Sequence, residues 1–454
     1  MSTFLRPGRV IALIIAALAI IAFGLLYSFG MRASCDPGPC PPASPVSDKF
    51  WFLHRDLGPE GSITVRLASM TGTITYPPPN HDEIVSGLVP WAKVGLIVKD
   101  GLREGSPYAA VMLTGNHGVR FQYDYDQDVA GRTGDWLRLT RSGDTITGFS
   151  STDGQQWQRV GTAKFEGLPD TVQVGLFATS PGDLTLREVG LGGAIEEVRF
   201  TQAVGVFDHV TVEGSAGGWQ SDPVGGEMNH TDWEKYHNPS GAVQKDGVIT
   251  VSGSGDIGPV SDGLAPMVKF LLLGLVVALV IVLVVGARAT YAPVLVGAAA
   301  FVTGLVGVGV ILPVGMAILA ANGVPVPPLP LLTGVRVVVG AAVVLGLGAV
   351  FANGLSAWLR RRWLAIVVAV LLVAVPYVLT AFPLLPDVVA DWLLRLTPAA
   401  GFAVLQTAVE YPQVTAHYAP SSGYFPLPWW AGLTVLAAYA LAAMAASGSV
   451  GRRR

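Results

Sequence analysis

Asp124, Asp126 and Asp128, with Asp135 after them, repeat the i, i+2, i+4 spacing of hard oxygen ligands that suits calcium. Val129 stands where such a loop needs glycine, and no glutamate closes it. A solvated strand face or loop explains these carboxylates as well, so they are weak metal candidates. His230, Asp232 and His237 are either a second metal group or part of a polar loop. Gly253, Gly255 and Gly258 match G-x-G-x-x-G after a strand, but Pro259 and a polar stretch follow. A dinucleotide site needs a helix N-terminus there for the pyrophosphate. Tyr123, Tyr125 and Trp136 are either a sugar-stacking platform or strand core, and His209 has no recognisable triad around it. No catalytic, cofactor-binding or metal residue is therefore assigned. Cys35 and Cys40, the only cysteines, frame Cys-Asp-Pro-Gly-Pro-Cys. Two thiols without nearby histidine do not make a metal site, and a small disulfide-stapled turn is expected if the segment lies outside the cytoplasm.

The elements that must position these residues follow from composition. Of 454 residues, 51% are hydrophobic and only 13% charged, about half the ~25% of soluble domains. That excludes an ordinary cytosolic enzyme. The net charge of −3 hides an asymmetry. Residues 265–454 carry ten basic residues against three acidic ones, and residues 31–264 carry 17 against 29. No basic face exists to neutralise phosphates, so nucleic acid is not an expected partner.

Val10 to Gly30 is an uncharged run of 21 residues, long enough for a retained membrane helix and longer than a usual signal-peptide core. Five further spans are expected at about 267–287, 293–321, 331–356, 363–384 and 429–447. With the N-terminus inside, the inner ends collect Arg6, Arg9, Arg288, Arg360, Arg361, Arg362 and Arg452 to Arg454, while the outer flanks hold Lys269 and Arg395. The expectation is a multi-pass protein of the cell membrane with both termini cytoplasmic and residues 31–264 extracytoplasmic. Residues 31–47 would be a linker, 48–264 a β domain, and 265–454 the remaining spans with an outer re-entrant or amphipathic segment at 385–428.

From Lys49 to about Gly214, short alternating runs such as Ser62–Ala68, Asp135–Thr140 and Thr171–Phe177 are punctuated by turn signals, which predicts an all-β sandwich. Trp91-Ala-Lys-Val-Gly-Leu-Ile-Val-Lys-Asp100, Tyr108-Ala-Ala-Val-Met112, Trp136-Leu-Arg-Leu-Thr-Arg141, Ser151-Thr-Asp-Gly-Gln-Gln-Trp157, Val174–Ser180 and Val206–Val210 follow in that order. The set resembles the concanavalin/laminin-G-like jelly-roll domains of secreted carbohydrate-related proteins, which implies a glycan or envelope ligand. Residues 246–257 look like the strand that opens such domains, and are expected beside 48–55, bringing both ends of the insert together.

In the helical part, Gly297, Ala300, Gly304 and Gly307 form a small-residue stripe for close helix packing. Arg336 is either an intramembrane charge with a partner or a snorkelling side chain. Asp387, Asp391 and Arg395 recur every four residues on one helix face, with Trp392 suited to an interface, and Glu410 follows in the same outer segment.

That segment, continuing through Thr397–Gln406, Tyr411-Pro-Gln-Val414 and Tyr418–Pro426, together with Leu332–Gly340 and the arginine tail, resembles type-2 ATP-binding-cassette permeases with a large outer insert between spans one and two. The resemblance implies a six-helix half-transporter that dimerises with a second permease chain, homo- or heterodimer, and works with a separate ATPase subunit that binds ATP. This chain has no G-x-x-x-x-G-K-[ST] loop of its own. Relatives carry a longer cytoplasmic segment between spans two and three than Gly286 to Ala292. Cytoplasmic contacts would fall to Arg288 and Arg360 to Arg362, and most ATPase contact to the second permease chain. The alternative is a transport-inactive, membrane-anchored ligand-binding or scaffold protein.

Overall fold

The computed structural model describes residues 7–34, 44, 46–76, 83–229, 232–237, 239–260, 265–289 and 293–451. Helix α1 (Pro7–Gly30) leads into an all-β domain. Its strands are β1 (Val46–Asp48), β2 (Phe50–Thr75), β3 (Ile84–Ser86), β4 (Lys93–Lys99), β5 (Tyr108–Thr114), β6 (Val119–Tyr123), β7 (Gln127–Ala130) and β8 (Trp136–Ser142). They continue as β9 (Thr145–Ser151), β10 (Gln158–Lys164), β11 (Val172–Thr179), β12 (Asp183–Val189) and β13 (Gly193–Val224). After the short helix α2 (Asp232–His237) come β14 (Gly241–Lys245), β15 (Val248–Gly253) and β16 (Ile257–Pro259).

Strand β2 joins the two layers. Trp51–Leu57 pairs with β11, and Glu60–Arg66 pairs with β8, while β13 runs antiparallel along its other edge. The order β10-β9-β8-β2-β11-β4-β5-β6-β7 therefore folds over at Gly58-Pro59 into a sandwich. At the matching corner of β13 the register slips, and Gly214 has φ 72°, with Glu60 O only 2.1 Å from where a Cβ would stand. Only glycine fits that approach. Leu57, Val65, Leu96, Val111, Phe121, Leu139 and Leu176 belong to the core between the layers. A second cluster, including Phe50, Phe52, Ile97, Tyr108, Met112 and Phe177, buries the opposite face of the β2–β11–β4–β5 layer. Burial on both faces is why β4 reads as a continuous apolar run while β8 alternates.

The ends of the domain meet, with Val46, Ser47 and Asp48 of β1 paired to Pro259, Gly258 and Ile257 of β16. The expected neighbour is corrected in detail. Strand β15 bonds to β13 and β14, while the residues after it lie beside the expected segment, Asp256 O accepting from Lys49 N–H at 2.7 Å and Ile257 pairing with Asp48.

The helical part comprises α3 (Ala265–Leu271), α4 (Gly274–Arg288), α5 (Pro293–Ala321), α6 (Leu331–Leu359), α7 (Arg362–Ala369), α8 (Val375–Ala381), α9 (Asp387–Leu396) and α10 (Trp429–Gly451). A π-turn at Val370–Ala374 joins α7 to α8 just before Pro376, and a 3-10 helix, Pro398–Leu405, follows α9. Among the described residues, five helical stretches are long and apolar enough to cross a membrane: Pro7–Gly30, Pro293–Ala321, Leu331–Leu359, Arg362–Ala381 and Trp429–Ser447. Counting the bent pair Asp387–Leu396 and Pro398–Leu405, with an angle of 107°, gives six.

The run expected as one continuous span at 267–287 is interrupted at Leu272–Leu273. There Leu273 N–H turns to Phe270 O and Leu275 N–H to Leu272 O, a local 3-10 tightening. The 15 residues of α4 reach only ~22 Å at ~1.5 Å per residue. The small-residue stripe of α5 is buried, with Gly304 against Ala342 of α6 and Gly307 against Ile20 of α1.

Candidate functional site at the junction of the β domain and the helices

The two ends of the helical part differ. At one end, Arg9 Nη2 donates to Arg288 O at 2.8 Å, and Asn353 Nδ2 of α6 donates to Gly286 O at 3.1 Å and to Ala289 O. Asn353 thereby adds a second bond at Gly286 O, which already accepts from Ala289 N–H at 3.1 Å, and takes the carbonyl of Ala289, the residue that caps α4. About two turns further along α6, Arg360 closes the helix in the left-handed region and Arg361 begins the next turn, with Arg360, Arg361 and Arg362 all exposed. Arg288, at the end of α4 that Asn353 holds, is exposed too.

The opposite end carries the β domain. The turn between β12 and β13 sits on the segment after α8, where Leu191 N–H donates to Leu384 O at 3.0 Å. A Cβ on Gly193 would lie 2.1 Å from Pro383 O, so the hairpin turn and the helical segment are in backbone contact. His417 then ties three elements together. Its backbone N–H donates to Glu196 Oε1 of β13 at 3.2 Å, and its Nε2 lies 2.7 Å from Asp387 Oδ2 of α9. Gln413 Nε2 adds a bond to Asp126 O at 2.9 Å. Beneath this contact, Lys269 Nζ donates to Ala381 O at 2.9 Å and Ser421 O at 2.6 Å. Arg336 Nη2 donates to Gln406 O, and the Gln406 amide is held by Phe425 N–H and Ala408 O. Two cations from the helices therefore hold main-chain carbonyls at the end of α8 and in the segment between the 3-10 helix and α10.

Arg336 also lines a cleft of about 590 Å³ between α6, α10 and the 3-10 helix. Asp391 and Arg395 lie 3.8 Å apart on α9, the spacing expected of them, and Val388, Trp392 and Leu396 are exposed on that helix. Glu410 is exposed in the extended stretch after the 3-10 helix, outside any span.

The acidic trio of the β domain does not converge. Asp128 is an ion-pair partner of Arg120 and accepts from Gln122 Nε2 at 2.9 Å, so its oxygens are occupied. Asp124 and Tyr125 take positive φ in the turn between β6 and β7, and burial, with the Asp126 charge second, raises the Asp124 carboxyl. Among the described residues no three His, Cys, Asp or Glu side chains gather as a metal would require. Asp232 pairs with Lys235 at 3.3 Å in α2, while His230 lies outside the described residues, as do Cys35, Cys40, Arg6 and the Arg452–Arg454 tail. The proposed aromatic platform is dispersed. Tyr125 is buried, Tyr123 packs on Phe121, and Trp136 stands half-buried on β8 against His209. Asp208 holds His209 Nδ1 at 2.9 Å, and its bond to Arg66 keeps the Asp208 carboxyl below the usual carboxylate range.

Two polar clusters had no signature in the sequence. Lys99, fully buried, donates to Asp48 Oδ2 at 2.6 Å, Ser106 O at 3.0 Å and Tyr125 Oη at 3.0 Å. Tyr125 Oη and Gly105 N–H both donate to the same Asp48 oxygen at 2.8 Å, whereas Asp48 Oδ1 and the Tyr108 hydroxyl find no partner among the described residues. Burial pulls the Lys99 ammonium below the lysine range, with Asp48 pulling the other way, and burial pushes the Tyr108 and Tyr125 hydroxyls up. Buried His54 has Nδ1 2.7 Å from Gln173 Oε1 and Nε2 3.0 Å from Asp222 Oδ2. A lysine inside an apolar strand run is the only signal that could have announced the first cluster.

No protein-family model matches this sequence, and no curated protein aligns with it significantly. Among solved structures, a mutant of the GH43 protein BlXynB from Bacillus licheniformis is 13% identical over 26% of this chain and 24% of its own, with a TM-score of 0.18. The chain thus spans about a quarter of that protein's length. A functionally unknown protein from Saccharomyces cerevisiae is 15% identical, with 37% of this chain and 75% of that one covered and a TM-score of 0.19. SCP-B of the eqolisin family of peptidases, in complex with the tripeptide Ala-Ile-His, is 12% identical over 46% of this chain and 98% of its own, at a TM-score of 0.26.

Proposed function

We propose that this chain is an integral-membrane permease subunit of an ATP-binding-cassette exporter, without enzymatic activity of its own, that works with a separate ATPase subunit. The observation that carries the reading is the polarity of the helical part. Arg9, Arg288 and Arg360 to Arg362 cluster at one end, and the β domain and outer segment occupy the other. Basic residues mark the cytoplasmic side, so both termini are inside and residues 31–264 outside. Six spans follow if 265–288, kinked at Leu272–Leu273, crosses as one helix. The bent pair after α8 is then re-entrant. In this reading the β domain binds or gates the substrate or an envelope ligand such as a glycan, and passes its state to the spans through the His417 contact.

The basic end is small against the ~1,200–2,000 Å² of a stable specific interface. The chain therefore pairs with a second permease chain whose cytoplasmic loops make most of the ATPase contact. Those same short loops favour the second reading, a membrane-anchored ligand-binding or scaffold protein that has lost transport. Purification in mild detergent separates the two. An ATPase bearing a phosphate-binding loop in the complex supports the permease, and a solitary chain that retains glycans supports the scaffold. In a background lacking Cys35 and Cys40, Ser142→Cys should be labelled from outside intact cells and an added C-terminal cysteine should not. The reverse pattern overturns the topology.

A further inference from the structure

We propose that the cleft beside Arg336 binds an anionic glycerophospholipid of the outer leaflet. The inference rests on the membrane reading above and adds a ligand to it. The cleft, about 590 Å³, is lined by Leu332, Val335, Val339, Val343, Val404 and Leu433, with Arg336 and Thr333 as its polar residues and Trp429 at its rim. That volume is within the ~300–1,000 Å³ of small-molecule sites. It opens outward, since Leu332, Val335, Val339 and Trp429 are all exposed.

The charge in it is uncompensated. A guanidinium carries five N–H donors in a planar fork. Among the described residues Arg336 makes one protein hydrogen bond, to the neutral carbonyl of Gln406, forms no ion pair, and leaves Nε without a partner. A counter-charge stabilises a cation in apolar surroundings, and a guanidinium meets a phosphate with two parallel bonds. Arg336 stands five residues into α6, ~7 Å from its start at ~1.5 Å per residue, at the outer end of the helix. Pro330 precedes α6 without a side-chain cap, so the first N–H groups add positive potential on the same side. A headgroup phosphate on Arg336 would leave one acyl chain to run down the valine face of α6 against Leu433 and Val404.

Native mass spectrometry of the full chain, stripped of lipid in detergent and titrated with phosphatidylglycerol or phosphatidylcholine, tests this. The wild type is expected to retain phosphatidylglycerol about tenfold better than phosphatidylcholine. Arg336→Gln should retain both equally, and Val339→Trp, which fills the tail groove and keeps the guanidinium, should lose phosphatidylglycerol. Glycerol 3-phosphate should not compete. Equal retention of the two lipids by the wild type, an unchanged preference in Arg336→Gln, or competition by glycerol 3-phosphate would each overturn the proposal. If Arg336→Gln does not fold, the wild type and Val339→Trp decide. Alkaline extraction of the chain from membranes would remove the membrane reading itself. An integral chain without the lipid preference removes only this inference.

Discussion

His417 Nε2 and Asp387 Oδ2 lie 2.7 Å apart, joining a loop to the first turn of α9. The same histidine's main-chain N–H holds Glu196 of the β12–β13 hairpin. One buried residue thus clamps the β domain and α9 from both sides.

Breaking that clamp should loosen the hairpin before anything else. A hydrogen bond to a charged group is worth about 1.5–3 kcal/mol, which corresponds to roughly 10- to 150-fold in an opening equilibrium. Asp387→Ala is expected to speed amide exchange at Leu191 and neighbouring hairpin positions by that range, while the β8–β9 hairpin is unaffected. Uniform exchange across both hairpins would contradict a local clamp.

The Lys99–Asp48 pair should show the asymmetry of buried ion pairs. Removing one partner strands a charge and costs ~3–5 kcal/mol, whereas replacing both with apolar residues is close to neutral. Asp48→Ala should therefore lower the thermal midpoint of the β domain strongly, and the Asp48→Leu/Lys99→Met double variant should regain most of it. The fluorescence-detected midpoint of the detergent-solubilised chain reads this directly. A double variant as weak as the single one would refute the pairing argument.

Tyr108 and Tyr125 should resist ionisation. Burial, with Asp48 adding to it, raises both hydroxyls above the usual value of 10.0, so the folded state favours their neutral forms. A raised acid contributes stability that is fully present below pH ~10 and lost as the pH climbs toward the folded-state value. Absorbance titration at pH 11 should show the same ionised amplitude in Tyr125→Phe as in the wild type. A smaller amplitude in the variant would mean that Tyr125 titrates normally.

Helix packing offers a paired comparison. A Cβ on Gly274 would lie 2.4 Å from Ala19 O of α1, whereas on Gly309 the nearest atom is Val338 Cγ1 at 3.6 Å. Overpacking costs about 1–3 kcal/mol. Gly274→Ala should thus lower thermal stability in detergent, and Gly309→Ala should leave it unchanged or slightly higher. Equal midpoints would show that α1 and α4 are not in backbone contact.

How much was legible follows from the range of each interaction. The apolar runs, the Gly297–Gly307 stripe and the Asp391–Arg395 spacing were readable because a helix repeats its neighbours every three or four residues. The alternation of β8 was readable because one of its faces is buried and the other is not. The Asp124–Asp128 spacing left a metal loop and a solvated strand face both open, because whether carboxylates converge depends on the turn that carries them and on partners such as Arg120, which pairs with Asp128.

The sequence by itself determined which segments are apolar helices, which are strands, and at which ends the basic residues stand, since these are sums of local preferences. Only the tertiary structure decided that Lys99 finds Asp48 across 51 positions and that His417 finds Glu196 across 221. It also decided that β15 joins β13 rather than the start of β2, and that 267–287 breaks at Leu272–Leu273. Contacts between distant residues leave no period in a sequence, because they depend on where each chain segment is carried by the segments between.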